Sequence, residues 1–176
     1  MPLEFAEYDP DWPELARQAI DELMAGLPGL FSAIEHVGST AIPGLAAKPI
    51  IDLMAATGDL DRVVARDGDL GQLGYMFHDA RMPGRLFYRR GADHAWTHHL
   101  HVVEASTFAT RNQRLLRDYL RGHPDAVARY AALKRRLAGL HDVGSDYTRA
   151  KTELIQELTD KARAERGLPP APVWEE

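Results

Sequence analysis

Apolar residues recur at helical spacing near the start of the chain. The stretch WPELARQAIDELMAGL begins at Trp12 and follows Asp11, which predicts a helix with an aspartate N-cap and a proline in its first turn. Either Gly26 or Pro28 would end this helix. Its predicted buried stripe consists of Leu15, Ala19, Leu23 and Met24.

Period-two patterns and β-branched or aromatic residues mark the middle of the chain as strands. The predicted strands are SAIEHVG, the segment Pro49–Ala56, YMFHDA, RLFYRRG and AWTHHLHVVE. A turn at Pro83-Gly84 would join the third strand to the fourth. The segment GDLDRVVARDGDLGQLG predicts one modest helix with a glycine-rich exit.

Helical periodicity returns from Thr107 onward. It predicts helices in TFATRNQRLLRDYLRGH, PDAVARYAALKRRLAGL and DYTRAKTELIQELTDKARAE. The closing stretch GLPPAPVWEE has no packing pattern. We therefore predict an α+β fold, with a mixed β-sheet flanked by helices and a helical C-terminal third. It would form one domain of residues 1–166, followed by a flexible proline-rich tail of residues 167–176.

Composition restricts the classes of function. The chain of 176 residues fits one domain with a substantial core. Its net charge of -5 argues against broad binding to nucleic acid or anionic membranes, although a local basic cluster can still bind a small anion. The absence of cysteine excludes disulfides, thiolate zinc sites and a cysteine nucleophile. With no secretory signal pattern and no apolar run of about 18 residues, we expect a cytoplasmic protein.

One carboxylate interrupts an otherwise apolar strand. The segment Pro49–Ala56 is typical of a strand that is buried on both faces, and Asp52 is its one charged residue. An ionised carboxylate in that position costs several kcal/mol unless a metal ion, a cation or hydrogen-bond donors meet it. This cost indicates a functional site around Asp52.

The turn Gly38-Ser39-Thr40 precedes this strand. Such a turn can present backbone N–H groups and a hydroxyl to phosphate oxygens, and a nearby aspartate can hold Mg²⁺ bridging the same oxygens. This combination serves phosphoryl and nucleotidyl transfer. The alternative is structural: Gly38 permits the turn, Ser39 caps it, and Asp52 pairs with Lys48 or an arginine.

Three motifs together resemble the GrpB-like family: VGSTAIPGLAAKPIIDL, THHLHVVE and YTRAKTELI. The resemblance covers roughly residues 5–165. It implies a nucleotidyltransferase-like fold, since the family is related to the nucleotidyltransferases, and a similar domain is fused to dephospho-CoA kinases in some bacteria. Nucleotidyltransferases carry a Gly-Ser turn, a strand with two carboxylates two residues apart, and usually a third carboxylate on a later strand. Gly38 and Ser39 match the turn, and Asp52 matches the first carboxylate.

Met54 stands where this motif carries its second carboxylate, on the same strand face as Asp52. A thioether is a poor ligand for Mg²⁺. The departure leaves three alternatives open: one metal ion suffices, other residues complete the site, or the fold binds a ligand without nucleotidyl transfer.

Histidines are concentrated in the segment HHLHVVE. His99 and His101 share one face of this strand, and two imidazoles at this spacing can chelate one transition metal or donate to a phosphate or carboxylate. If the strand neighbours that of Asp52, the pair would occupy the place of the third carboxylate, and the site would prefer Mn²⁺, Fe²⁺, Ni²⁺ or Zn²⁺ over Mg²⁺. Alternatively, one histidine is a hydrogen-bonded core residue and the others are solvated. Among the isolated histidines, His36 would face the cleft, whereas His78 and His94 would be structural.

Basic residues extend the candidate site. Arg85, Arg89 and Arg90 flank one short strand, so that one of them could point toward an anionic ligand, or all could be solvated edge residues. Lys151 interrupts a helical stripe, which suggests a contact with a phosphate or carboxylate, with a structural salt bridge as the alternative. The other members of that stripe are Tyr147, Leu154 and Leu158.

The leading hypothesis is a nucleotidyltransferase-fold enzyme that acts on a small molecule with a nucleoside triphosphate and a divalent metal, Mg²⁺ or Mn²⁺, with Zn²⁺ as an alternative. Asp52 and His101 would be catalytic, and Asp52, His99 and His101 would bind the metal. The predicted nucleotide-binding residues are Gly38, Ser39, Thr40, Lys48, Arg89 and Lys151.

Two alternatives come from other classes of function. One is a non-catalytic module that binds a nucleotide or small anion and has lost the second carboxylate at Met54. The other is a metal-dependent enzyme of a different class, built on the histidines and Asp52. In each case the expected partner is a small-molecule or nucleotide ligand, rather than a membrane or a nucleic acid. The acceptor substrate and the oligomeric state are left open.

Overall fold

The structure is a computed structural model that describes residues 5–93, 95–138 and 145–173. The α-helices in these residues are α1 (Trp12–Gly26), α2 (Leu60–Val64), α3 (Asp67–Gln72), α4 (Ala105–Phe108), α5 (Asn112–Gly122), α6 (Pro124–Ala138) and α7 (Ser145–Glu165). A single 3-10 turn, Ser39–Ala41, follows Gly38. The strands are β1 (Ala33–Val37), β2 (Ile51–Thr57), β3 (Tyr75–Phe77), β4 (Arg85–Ala92) and β5 (Ala95–Glu104). His94 and the side chain of Tyr147 lie outside the described residues.

The strands form one mixed sheet in the order β1-β2-β5-β4-β3. β2 and β5 are parallel, and every other neighbouring pair in the sheet is antiparallel. Since a tight turn cannot join parallel neighbours, the chain crosses between them through α2, α3 and the β3–β4 hairpin. The predicted α+β fold with a mixed sheet and a helical C-terminal third is confirmed.

One face of the sheet carries the main hydrophobic core. Leu53 of β2 and Leu100 of β5 are fully buried there, and they pack with Tyr88 of β4 against residues of α1. Burying each large apolar side chain contributes about 1.5–3 kcal/mol. The two central strands are therefore held in place by apolar contacts on this face, which leaves the opposite face for polar side chains.

The buried face of α1 differs from the predicted stripe. Trp12, Ala16, Ala19 and Leu23 are buried, whereas Leu15 and Met24 are 42% and 41% exposed, so these two assignments were wrong. The stripe begins at Trp12, whose ring meets that of Tyr8 edge to face at 5.6 Å, and this contact fixes which side of the helix turns inward. Asp11 is the N-cap residue, but its side chain makes no capping hydrogen bond. The backbone N–H of Asp11 instead donates to the Asp9 carboxylate.

The single helix predicted after β2 is in fact two short ones. Asp59 caps α2 by accepting a hydrogen bond from the backbone N–H of Asp61. α3 then starts at Asp67-Gly68, two residues with low helix propensity that favour a break over a continuous helix.

The C-terminal helices dock on the loop between β1 and β2. Ile42 and Leu45 of this loop pack against a cluster of apolar residues from α5, α6 and α7. Along the same side of the molecule, Met54 and Val103 of the sheet pack against Phe108 of α4. The helical third therefore stands next to the polar face of the sheet and can deliver side chains to it.

The described part of the predicted flexible tail makes hydrogen bonds to the helices. Asn112 donates to the carbonyl of Pro172, and Gln156 donates to that of Ala171. Gln156 also accepts from the backbone N–H of Val173. These bonds hold the segment along α5 and α7 although its prolines give it no helical or strand pattern. In the described part of the chain, none of the helices has the length and apolarity needed to cross a lipid bilayer.

Gly38 brings the loop backbone against the side chain of Asp52. Its φ is +77°, a conformation that L-residues rarely adopt. A Cβ atom at this position would lie 2.5 Å from Asp52 Oδ2 and 3.0 Å from Asp52 Cβ. The second contact cannot be relieved by rotating the carboxylate, so only glycine permits this approach.

We expect Gly38→Ala to lower the free energy of unfolding by at least about 1 kcal/mol more than Gly29→Ala does. Gly29 has a similar φ of +76°, but a Cβ atom added there would have no neighbour within 4 Å. Only Gly38→Ala places a Cβ atom against Asp52, and the ψ of −175° at Gly38 adds backbone strain of its own. Urea denaturation of both variants measures the difference, and equal losses would contradict the close approach.

A second pair of variants tests the orientation of α1. Leu23→Ala should cost about 2–5 kcal/mol because it empties a fully buried position, whereas Leu15→Ala should cost less than about 0.5 kcal/mol. Urea denaturation also compares these two variants. A large decrease in the free energy of unfolding for Leu15→Ala would support the buried stripe predicted from the sequence.

Candidate functional site

Asp52 and His99 meet at the centre of the sheet because β2 and β5 pair in parallel. The register sets Asp52 opposite His99, and Nδ1 of the imidazole lies 3.2 Å from Oδ1 of the carboxylate. Asp52 is the one residue of β2 that is not buried, with 30% of its side chain exposed. The carboxylate therefore opens into a cleft, which reduces the burial cost expected from the sequence.

This cleft has a volume of about 280 Å³ and lies between the sheet and the C-terminal helices. Its charged and polar walls come from the loop before β2, from the centre of the sheet and from α6 and α7. The lining side chains that carry polar groups are Ser39, Thr40, Lys48, Asp52, His99, Lys134 and Lys151. A larger groove of about 550 Å³ between α6 and α7 shares no lining residue with it and contains the ion pair of Arg129 and Glu157.

Lys134 is the central cation of the cleft, although only 5% of it is exposed. Its Nζ donates to Ser39 Oγ at 2.7 Å and to the Ala46 carbonyl at 3.2 Å, and it lies 4.5 Å from the centre of the Tyr130 ring. Burial and the neighbouring Lys151 ammonium lower the pKa of Lys134 to about 7, and the Asp52 carboxylate opposes them. The ammonium thus holds the Ser39 hydroxyl in position and remains poised to gain a partner.

Two further lysines make the cleft a site for anions. Burial lowers the pKa of Lys151, and the charge of Lys48 lowers it further. Three lysines therefore face the single carboxylate of Asp52 among the residues that line the cleft. Such an excess of ammonium groups in a partly enclosed volume favours a ligand with several negative charges.

The structure gathers most of the predicted nucleotide-binding residues. Ser39, Thr40, Lys48 and Lys151 line the cleft, and the Gly38 backbone supports Asp52 beside it. The Thr40 hydroxyl is already engaged, since it lies 2.8 Å from His36 Nε2 and 3.4 Å from the carbonyl oxygen of Ile50. His36 itself does not line the cleft. Burial, followed by the charge of Arg121, lowers the pKa of His36 to about 4.

Arg89 and His101 lie outside the cleft, on the part of the sheet face beyond His99. The His101 ring stacks on Phe87, with their centres 4.8 Å apart, and burial lowers the pKa of His101 to about 4. Among the described residues, no three histidine or carboxylate side chains are arranged to hold a metal ion. Of the proposed metal ligands Asp52, His99 and His101, the first two are in contact and the third faces an aromatic ring.

Sequence reasoning missed Lys134. Its neighbours in ALKRRLA give it the appearance of ordinary helical surface charge. The available signal was its position in a stripe with Ala126 and Tyr130, each four residues apart, both of which are buried. His98, in contrast, matches the structural alternative: it is 7% exposed and its Nδ1 lies 2.8 Å from the Thr97 hydroxyl.

The sequence of this chain is similar to that of a known protein family. The sequence profile described as GrpB protein matches residues 2–161. A UPF0157 protein of Pseudomonas aeruginosa is 39% identical over 173 residues, which cover 92% of this chain and 68% of the relative. The UPF0157 protein YqkA of Bacillus subtilis is 33% identical over 163 residues, and the chain covers 47% of its length, so it spans about half of that relative. A dephospho-CoA kinase of Mycolicibacterium paratuberculosis matches with 28% identity over 39% of its length.

Solved structures agree with the sequence comparison. The crystal structure of conserved protein GrpB from Enterococcus faecalis superposes with a TM-score of 0.84 at 28% identity, covering 93% of this chain and 99% of that one. Terminal uridylyl transferase 4 from Trypanosoma brucei with bound dUTP gives a TM-score of 0.50 at 11% identity over 97% of this chain and 64% of that one, a likeness of fold alone. The chain therefore belongs to the GrpB family. Its fold is nucleotidyltransferase-like, as the superposition on the uridylyl transferase shows.

Proposed function

We propose that the cleft binds the polyphosphate of a nucleoside triphosphate together with a divalent cation, and that the protein transfers a nucleotidyl group to a small molecule. The observation that carries this proposal is the convergence of Lys48, Lys134 and Lys151 with the Ser39 hydroxyl opposite the single carboxylate of Asp52. The nucleotidyltransferase-like fold supports the same reaction class.

Each group in the cleft has a part in binding the polyphosphate. The Ser39 hydroxyl accepts a hydrogen bond from Lys134, which leaves its own proton free to be donated to a phosphate oxygen. Lys48 and Lys151 add two charges at the other walls. Charge-assisted hydrogen bonds from ammonium groups to phosphate are among the strongest available to a protein.

The Asp52 carboxylate suits a divalent cation that binds together with the nucleotide, rather than a cation that is bound permanently to the protein. Mg²⁺ in nucleotide sites is commonly held by one or two carboxylates, with phosphate oxygens and water completing its shell. Asp52 would supply that carboxylate, and His99, 3.2 Å away, adds an imidazole that suits Mn²⁺ better than Mg²⁺. When bound, the cation would neutralise charge that develops on the phosphates.

The reaction would be an in-line displacement at the α-phosphorus. An oxygen of the acceptor attacks and forms a new P–O bond while the bond between the α-phosphorus and the bridging oxygen breaks. Pyrophosphate leaves with that electron pair, and the lysines stabilise its charge. The proton of the acceptor passes to solvent.

One observation favours a second function, binding without catalysis. Met54, at the position of the second carboxylate of the nucleotidyltransferase motif, is completely buried. A second cation would therefore lack its protein ligand, and a site with one cation could retain nucleotide affinity without turnover.

A thermal-shift screen tests the proposed ligand. ATP, GTP, CTP and UTP are each added with and without Mg²⁺ or Mn²⁺, and at least one nucleotide should raise the Tm in a metal-dependent way. The cations alone should produce little shift, since one carboxylate and one imidazole are weak ligands without phosphate oxygens. Asp52→Asn should weaken metal-dependent binding at least tenfold by calorimetry, whereas Asp61→Asn, an exposed carboxylate on α2, should not change it.

Release of pyrophosphate from the nucleotide selected in this screen separates the two functions. Turnover that is lost in Asp52→Asn supports transfer, and binding without turnover supports the non-catalytic module. If none of the nucleotides stabilises the protein, with or without a cation, the proposed function is wrong.

The pKa of Lys134 gives the proposal a pH dependence. The free protein loses the Lys134 proton as the pH rises through about 7, whereas a bound polyphosphate favours the ammonium. Affinity for tripolyphosphate should therefore fall above that pH, by up to about tenfold per pH unit, and binding at about pH 8 should take up protons. Calorimetry in two buffers with different ionisation enthalpies measures the uptake.

Lys134→Met is the control for this measurement. This variant should bind tripolyphosphate more weakly and take up fewer protons on binding than the wild type. The proton uptake that remains in the variant comes from the ligand and from titratable groups other than Lys134. Identical proton uptake in the wild type and in Lys134→Met would contradict the assigned role of Lys134.

A further inference from the structure

A second polar cluster lies on the same sheet face, on the side of His99 away from the lysines. We name it the Phe87 patch and define it by Phe87, Arg89, His99 and His101. The strand registers set Arg89 opposite His99 and Phe87 opposite His101, so the four side chains share one face of β4 and β5. The Phe87 ring contacts both imidazoles, with ring centres 5.1 Å from His99 and 4.8 Å from His101.

Arg89 is held in the patch by aromatic rings. Its guanidinium carbon lies 5.2 Å from the centre of the Phe87 ring and 5.4 Å from that of Trp96. A cation–π contact uses the flat face of the guanidinium and leaves the N–H groups at its edge available. The arginine is thus positioned without consuming all of its donors.

Three buried nitrogens of the patch lack a hydrogen-bond partner among the described residues: Arg89 Nε, His99 Nε2 and His101 Nδ1. Buried polar atoms in folded proteins are rarely left unpaired, because each costs about 1–3 kcal/mol. Three such atoms from neighbouring side chains indicate a site where a ligand supplies hydrogen-bond partners. Arg89 Nε is a permanent donor, and His101 Nδ1 donates in one tautomer.

The charge around the patch is positive. Two carboxylates lie on the same sheet face in the strands on the other side of β5: Asp52 of β2 contacts His99, and Glu35 of β1 forms ion pairs with Arg114 and Arg117, each at 2.8 Å. Neither therefore neutralises Arg89. Arg85 and His78 flank the cluster on β4 and beyond β3, and the His78 ring meets that of Phe87 edge to face at 5.8 Å.

We propose that the Phe87 patch binds an anionic oxygen group, a phosphate or a carboxylate, on the acceptor substrate. This inference rests on the proposed function, because it assigns the nucleotide to the cleft lined by Lys48, Lys134 and Lys151, which we call the lysine cleft, and the acceptor to the opposite side of Asp52. Arg89 and Asp52 lie two strands apart, about 10 Å between their backbones, so a small metabolite can reach both. The acceptor is therefore an anionic small molecule whose charged group lies on β4 and β5 while its reactive oxygen lies at Asp52.

Side-chain ¹⁵N NMR of the histidines tests the patch without any nucleotide. Inorganic phosphate and malonate are titrated separately into the full chain, and His101 is the reporter because it does not line the lysine cleft. We expect one of the two anions to shift the His101 imidazole resonances in a saturable way. His36 should not respond, since its Nε2 is bonded to Thr40. The anion that saturates identifies the chemical class, and the absence of a saturable shift with either anion overturns the proposal.

Variants locate the bound anion. Arg89→Met should weaken the response of His101 at least tenfold, Arg89→Lys should weaken it less, and Arg62→Met, which removes an exposed arginine of α2, should leave it unchanged. The melting temperature of each variant is measured as a check on folding. If Arg89→Met does not fold, the comparison of Arg89→Lys with the wild type tests the role of Arg89. An undiminished response in both Arg89 variants would overturn the assignment.

A double variant separates this site from the lysine cleft. In Lys134→Met/Lys151→Met, nucleotide binding should be lost while the His101 response to the anion persists. A His101 response that disappears with the two lysines would place the anion in the cleft and overturn the inference. A persistent response in a protein whose wild type binds no nucleotide would support the patch and refute the proposed function, so the two failures are distinguishable.

Discussion

The parallel pairing of β2 with β5 is the constraint on which the site depends. It places Asp52 opposite His99 in the middle of the sheet, where Leu53 and Leu100 hold the two strands by their buried opposite face. A slip of one residue in this register would turn the carboxylate into the hydrophobic core. Gly38 adds a second constraint, because its backbone fits against Asp52 only in the absence of a Cβ atom.

The buried ammonium of Lys134 is the clearest departure from what the fold alone requires. An apolar side chain would fill the same space beside Tyr130 without the cost of removing a charge from water. The structure offsets part of this cost with the Ser39 hydroxyl and the Ala46 carbonyl. Despite these contacts, burial and the Lys151 ammonium lower the pKa of Lys134 to about 7.

Asp52 and His99 stand between two positively charged regions of different character. The lysine cleft brings together three ammonium groups, of which that of Lys134 is buried and hydrogen-bonded, whereas the Phe87 patch offers a guanidinium and imidazoles in contact with aromatic rings. Met54, on the same face of β2, is completely buried and leaves Asp52 as the one carboxylate of this strand.

The sequence predicted single helices where the structure has two, both for α2 and α3 and for α4 and α5. It determined by itself the order of the five strands, the Gly-Ser turn, the position of Asp52 and the family. All of these depend on local periodicity or on a contiguous motif. The buried side of α1 was partly wrong because the packing of Trp12 decided it. Lys134 was missed for a similar reason: it contacts Ser39 across 95 positions, and only the docking of α6 on the β1–β2 loop brings them together. Tertiary structure alone decided which cations converge and which nitrogens are left unpaired, since both depend on side chains from elements that are far apart in sequence.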